Sequence, residues 1–108
     1  MFSSTSLDIN WYFVAGNHDH NGNISAQIEY SKLEKRWNFP DLYYKLTWKI
    51  PSTTMTVDII MIDTVVLCGN SDHDYKLLQP NGPKNLKDAE AQWLWIEKQL
   101  KESKYVQK

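Results

Sequence analysis

The chain has 108 residues, 42% hydrophobic and 23% charged, the mix of a folding globular domain and not of a disordered segment. Twelve Lys and Arg against thirteen Asp and Glu leave a net charge of -1 with no basic stripe to neutralise phosphate backbones, so no nucleic acid partner is expected. No apolar run approaches the roughly 20 residues that cross a bilayer, the opening Met1-Phe2-Ser3-Ser4-Thr5-Ser6 lacks the regions of a signal peptide, and a lone Cys68 excludes an internal disulfide.

Trp11-Tyr12-Phe13-Val14-Ala15 is an apolar run stopped by Gly16, which reads as a buried strand feeding a polar loop. Ile24, Ile28 and Leu33, set among Glu and Lys, predict a helix from Ile24 to about Trp37, ended by Asn38-Phe39-Pro40. Tyr44, Leu46, Trp48 and Ile50 alternate with Tyr43, Lys45, Thr47 and Lys49, the period-two pattern of a strand with one covered face. After a turn at Pro51-Ser52-Thr53-Thr54, Met55, Val57, Ile59 and Met61 resume the alternation. Ile60 and Ile62 on the opposite side predict burial of both faces near that strand's end.

Cys68 to Lys84 holds Gly, Asn, Asp and Pro without periodicity and reads as a long exposed loop. Cys68 itself, taken alone, reads as a small buried apolar residue. Asn85 as a cap, Asp88 in the first turn, and Leu86, Ala89, Trp93, Ile96 and Leu100 at helical spacing predict an amphipathic helix, with Trp95 at the margin of its stripe. The class is α/β, but three strands and two helices make an incomplete sheet, so covering neighbours are expected from outside the chain. The stop at Lys104-Tyr105-Val106 and beyond, soon after a helix, is where an α/β protein begins its next strand.

The densest polar cluster is Gly16-Asn17-His18-Asp19-His20, just past the carboxyl end of the first strand, where open α/β sheets bind ligands. A carboxamide, a carboxylate and two imidazoles suit hard or borderline cations, and His18 can move protons near neutral pH. A polar turn whose side chains bond nearby backbone has the same composition. Asp72-His73-Asp74 is a second, weaker metal-like cluster.

Val-Ala-Gly-Asn-His-Asp resembles the Gly-Asn-His-(Asp/Glu) signature of metallophosphoesterases. The longer run Gly-Asn-His-Asp-His-Asn-Gly-Asn-Ile-Ser-Ala-Gln-Ile, then Tyr-Ser-Lys, Lys-Arg-Trp-Asn-Phe-Pro and Asp-Thr-Val-Val-Leu-Cys-Gly-Asn-Ser-Asp, resembles the purple acid phosphatases in order and spacing, from about Trp11 through Lys104. The resemblance implies residues 1–108 as part of a metallophosphoesterase domain, a β-sandwich flanked by helices. It implies hydrolysis of phosphate monoesters at a binuclear metal centre of iron with iron or zinc, and a secreted or lysosomal location. On that resemblance Asn17 is a metal ligand, His18 contacts substrate phosphate and assists leaving-group departure, and Asp19 and His20 support the site through hydrogen bonds. It also implies a glycan at Asn23, in the sequon Asn23-Ile24-Ser25, and a disulfide from Cys68 to a cysteine outside the chain.

The family's upstream Asp-x-Gly and Gly-Asp-x-x-Tyr and its downstream Gly-His-Tyr and Gly-His-x-His are absent from this sequence. One neutral Asn ligand falls short of the three or more that hold a catalytic transition metal, so the chain alone is expected to bind no metal pair and to be inactive. Alternative readings are a non-enzymatic, truncated phosphatase-like protein and a small metal-binding domain using His18, His20 and His73. The segment from Ser71 to Asn85, with Asp72, Asp74, Lys76 and Lys84, resembles an exposed loop that covers the active site in these enzymes.

Overall fold

The structure is a computed structural model and describes residues 8–70 and 82–105. Its elements are mixed helix and strand, as the α/β reading expects. Only Trp11–Tyr12 of the first apolar run forms a paired strand, β1, and its partner is a short strand β2 at Trp37–Asn38. The two are parallel, with Trp11 opposite Trp37 and Tyr12 opposite Asn38.

That pairing corrects the predicted helix to Trp37. After a one-turn helix α1, Asn17–His20, the second helix α2 runs only over Ile24–Tyr30. The chain reverses beyond Ser31, whose hydroxyl lies 2.9 Å from the Ile28 carbonyl and 3.1 Å from that of Phe39. Reversal lets the Trp37 ring stack on Phe13, with centroids 3.8 Å apart, and lets its indole N–H donate to the Gln27 carbonyl at 3.1 Å. Burying two aromatic faces outweighs the few tenths of a kcal/mol that another helical residue contributes.

The two alternating runs form a hairpin close to its predicted bounds, β3 over Tyr44–Lys49 and β4 over Thr56–Met61. They are antiparallel, with Tyr44 opposite Met61 and Lys49 opposite Thr56. Burial of both faces at the end of β4 is not observed: Ile59, Ile60 and Met61 are half-buried, while Ile62 is exposed. The described residues form two separate two-stranded sheets.

A short helix that sequence reading missed, α3, spans Thr64–Cys68. Helix α4, Leu86–Tyr105, begins where the caps predicted. Its buried side matches the predicted stripe only in part, at Ala89 and the half-buried Ile96. Ala89, Gln92 and Gln99 face inward, whereas Leu86, Trp93 and Leu100 are 68%, 54% and 58% exposed. The docking contacts set that rotation: Gln92 bonds the start of α3, and Trp95 meets Tyr43 with ring centroids 4.9 Å apart. Among the described residues the buried apolar ones are few, Ala15, Phe39, Tyr44, Leu67 and Ala89. Tyr44 ties the hairpin to β1 by donating its hydroxyl to the Phe13 carbonyl, and burial pushes its phenol pKa up.

Candidate functional site

Ala15 is buried at the end of the β1 segment, and Gly16 turns the chain outward into α1. A single helical turn cannot persist by itself, because nucleation fixes several dihedrals for one hydrogen bond. Side chains supply what the backbone lacks. Asp19 accepts the Gly16 N–H at 2.8 Å, closing the turn on itself, and accepts the Gln27 amide at 3.2 Å, tying α1 to α2. These bonds, the Gly16 amide foremost and then Gln27, lower the Asp19 carboxyl below its ordinary pKa.

His20 tethers the other side. Its Nε2 lies 2.7 Å from Asp63 Oδ2. Asp63 is fully buried, and its other carboxylate oxygen accepts the Val66 N–H at 2.9 Å, capping α3. Gln92 grips the same residue from α4 with both ends of its amide: the Asp63 N–H donates to Gln92 Oε1 at 2.9 Å, and Gln92 Nε2 donates to the Asp63 carbonyl at 3.1 Å. Asn70, two residues past α3, adds a further link by donating to the Asn17 carbonyl at 2.9 Å and to Asn21 Oδ1 at 3.2 Å.

Asn17 and His18 are thus held on a clamped turn with their residues exposed. They present a carboxamide and an imidazole to whatever approaches the end of β1. Among the described residues no group of three or more His, Cys, Asp or Glu converges as a metal site. The described residues do not by themselves fit a pair of metal ions, since Asn17 offers one neutral oxygen and the His20 Nε2 is engaged with Asp63. The reading that joins His18, His20 and His73, and the cluster Asp72-His73-Asp74, lie partly or wholly outside the described residues, as do Asp74 and Lys76.

The other predicted positions are dispersed. Asn23 is exposed and caps α2, its Oδ1 accepting the Ala26 N–H at 3.0 Å. Cys68 is exposed at the end of α3, against the reading of a buried apolar residue, because the inward position of that short helix is taken by Leu67. Asp63, Gln92 and Asn70 went unrecognised as parts of this frame. Asp63 before Thr64 is a capping signal, but the β-branched Thr64-Val65-Val66 that follows disfavours a helix and masks it.

No protein-family model matches the chain. It is 56% identical over 105 residues to tartrate-resistant acid phosphatase type 5 of Mus musculus, a match that covers 96% of this chain and 32% of that protein. The protein of the same name from Sus scrofa is 55% identical over 105 residues, covering 96% of this chain and 31% of that protein. The Homo sapiens protein is 55% identical over 101 residues, covering 93% of this chain and 31% of that protein. The chain therefore spans about a third of the length of the curated relatives it matches.

Proposed function

Because the chain corresponds along nearly its whole length to a segment of tartrate-resistant acid phosphatase type 5, we propose that it is part of an acid phosphatase, a hydrolase of phosphate monoesters. The observation that carries the reading is the clamped turn beyond β1, which displays Asn17 beside His18. In this reading the Asn17 carboxamide is one ligand of a binuclear centre of iron with iron or zinc, and the remaining ligands come from outside these 108 residues. His18 binds the ester's phosphate and gives a proton to the departing oxygen, a task suited to an imidazole near neutral pH. Asp19 and His20 hold the turn.

The complete domain in this proposal is a metallophosphoesterase β-sandwich. The exposed Trp48 and Val57 of the hairpin and the exposed Trp93 and Leu100 of α4 support a fold that further segments complete. By itself the chain is inactive and binds no metal pair. A glycan at Asn23 and a disulfide from Cys68 to a cysteine beyond this chain belong to the same reading, which places the protein in the secretory or lysosomal route. The test is a graft: this chain replaces the matching third of the Mus musculus relative, and hydrolysis of an aryl phosphate is measured. Turnover near that of the relative supports the proposal. A folded, metal-loaded graft without turnover contradicts it.

A further inference from the structure

Asp63 is a carboxylate with no exposed surface, lodged far in sequence from the turn that carries Asn17 and His18. An unpaired buried charge costs several kcal/mol, so its partners are the first question. All are accounted for. His20 Nε2 and the Val66 N–H take its two carboxylate oxygens, and Gln92, itself fully buried, takes both its backbone N–H and its backbone carbonyl. An ionised carboxylate only accepts, so this contact is a hydrogen bond when His20 carries its proton on Nε2.

The two amide bonds from one Gln to one residue hold Asp63 against translation and tilt. The Asp63 carboxylate in turn holds His20, three residues from Asn17 in α1. In a helix of one turn, fixing one side chain at that spacing fixes the rotation of the turn, and so the directions in which Asn17 and His18 leave it. We infer that Gln92 and Asp63 are positioning residues, forming with His20 a buried relay through which helix α4 sets the aim of Asn17 and His18. The inference rests on the reading of that turn as the phosphatase site, since positioning matters for catalysis only there. Asp19 and Gln27 restrain the turn toward α2, and Asn70 restrains its backbone, but the relay is the described side-chain link from α1 to the α3 and α4 frame.

The test uses the graft described above for kinetics and the 108-residue chain for spectroscopy. In the graft, His20→Phe, Asp63→Asn and Gln92→Leu are each expected to lower kcat roughly 10- to 100-fold per metal-loaded molecule, with KM changed less than about threefold. His20→Gln, whose amide nitrogen still reaches Asp63, is expected to stay within about threefold of the parent, which keeps the test valid if a bolder variant fails to fold. The double variant His20→Phe with Asp63→Asn should be no worse than its worse single, because both cut one link. Multiplying effects, or a kcat that holds while only the melting temperature falls, would overturn the relay.

In the 108-residue chain, histidine nitrogen spectra should show His20 protonated at Nε2, and Gln92→Leu should move the backbone amide signals of Asn17 and His18. Unmoved signals count against the inference. If the unsubstituted graft does not hydrolyse the ester, the functional reading falls, and these spectra alone decide whether α4 orients the turn.

Discussion

A Cβ placed on Gly69 would lie 2.0 Å from the carbonyl oxygen of Gly82. These two glycines form the neck of the segment between them, and Gly69 also ends α3, its N–H donating to the Val65 carbonyl at 2.8 Å. Its φ of 90° with ψ of 169° lies in a region that is essentially glycine's alone. Gly69→Ala is therefore expected to cost about 1–3 kcal/mol from backbone strain, with the clash at Gly82 adding to it. Gly82→Ala should cost less, since its added Cβ meets nothing within 4 Å even though its φ of 96° is also strained. Equal losses in urea unfolding would show that the close approach at the neck does not constrain the chain.

Asp58 on β4 accepts the Thr47 hydroxyl at 2.7 Å. Its carboxyl is held below the ordinary value of 3.8, first by the Ser103 side chain on α4 and then by Thr47. A depressed folded-state pKa contributes stability that is full above the unfolded value and fades as pH falls through the folded one. The contact between β4 and the end of α4 should accordingly weaken below about pH 3.8. Amide exchange near Ser103 should accelerate with acid in the parent, and Asp58→Asn should flatten that dependence. The same acid dependence in both proteins would assign it to other groups.

How legible each part was depended on whether its signal was local. The hairpin followed from period-two alternation, and the turn at Asn17 followed from an apolar run stopped by Gly16. Helix α4 was legible as a helix but only partly in its inward face, at Ala89 and Ile96. Gln92 and Gln99 fall outside the predicted apolar stripe, yet both are buried, and Gln92 spends its amide on the backbone of Asp63. The partnership of His20 with Asp63 spans 43 residues and leaves no mark in spacing. Likewise Trp37 looked like the end of a helix, because its stacking on Phe13 is a contact between distant segments.

Because Trp93 and Leu100 lie outward on α4, the isolated chain should self-associate. Trp93→Lys is expected to raise its solubility and leave the melting temperature within about 2 °C, since a surface change away from buried contacts stays within about 0.5 kcal/mol. A large fall in melting temperature would mean that Trp93 is packed in the isolated chain. Light scattering beside a thermal melt separates the two.

Asn23 holds α2 through its oxygen, Oδ1, while a glycan would join its nitrogen. Cap and sugar are compatible. If the proposed glycan is attached, Asn23→Asp should abolish it yet keep the cap, whereas Asn23→Ala should lose both and about 1 kcal/mol of stability. If Asn23→Asp destabilises the sugar-free protein as much as Asn23→Ala, the cap contributes nothing.

Asn17 and His18 are neighbours on one clamped turn, and the proposed function gives them different tasks, so their substitutions should fail differently in the grafted enzyme. Asn17→Ala removes a neutral oxygen ligand, and metal occupancy should drop, with partial recovery in excess metal. His18→Ala leaves that ligand in place. Metal content should then stay normal while turnover falls roughly 10²- to 10⁴-fold, the range set by losing a positioned proton donor. Added metal should not restore it. The limb of the pH profile that reports the leaving-group acid should flatten in His18→Ala alone, provided that chemistry limits the rate. Because α1 is held by Asp19, His20 and Asn70 and not by either of these two side chains, neither substitution should unfold the turn. Loss of metal by His18→Ala to the same degree as Asn17→Ala would show that both residues act as ligands and would remove the proton-donor role from His18.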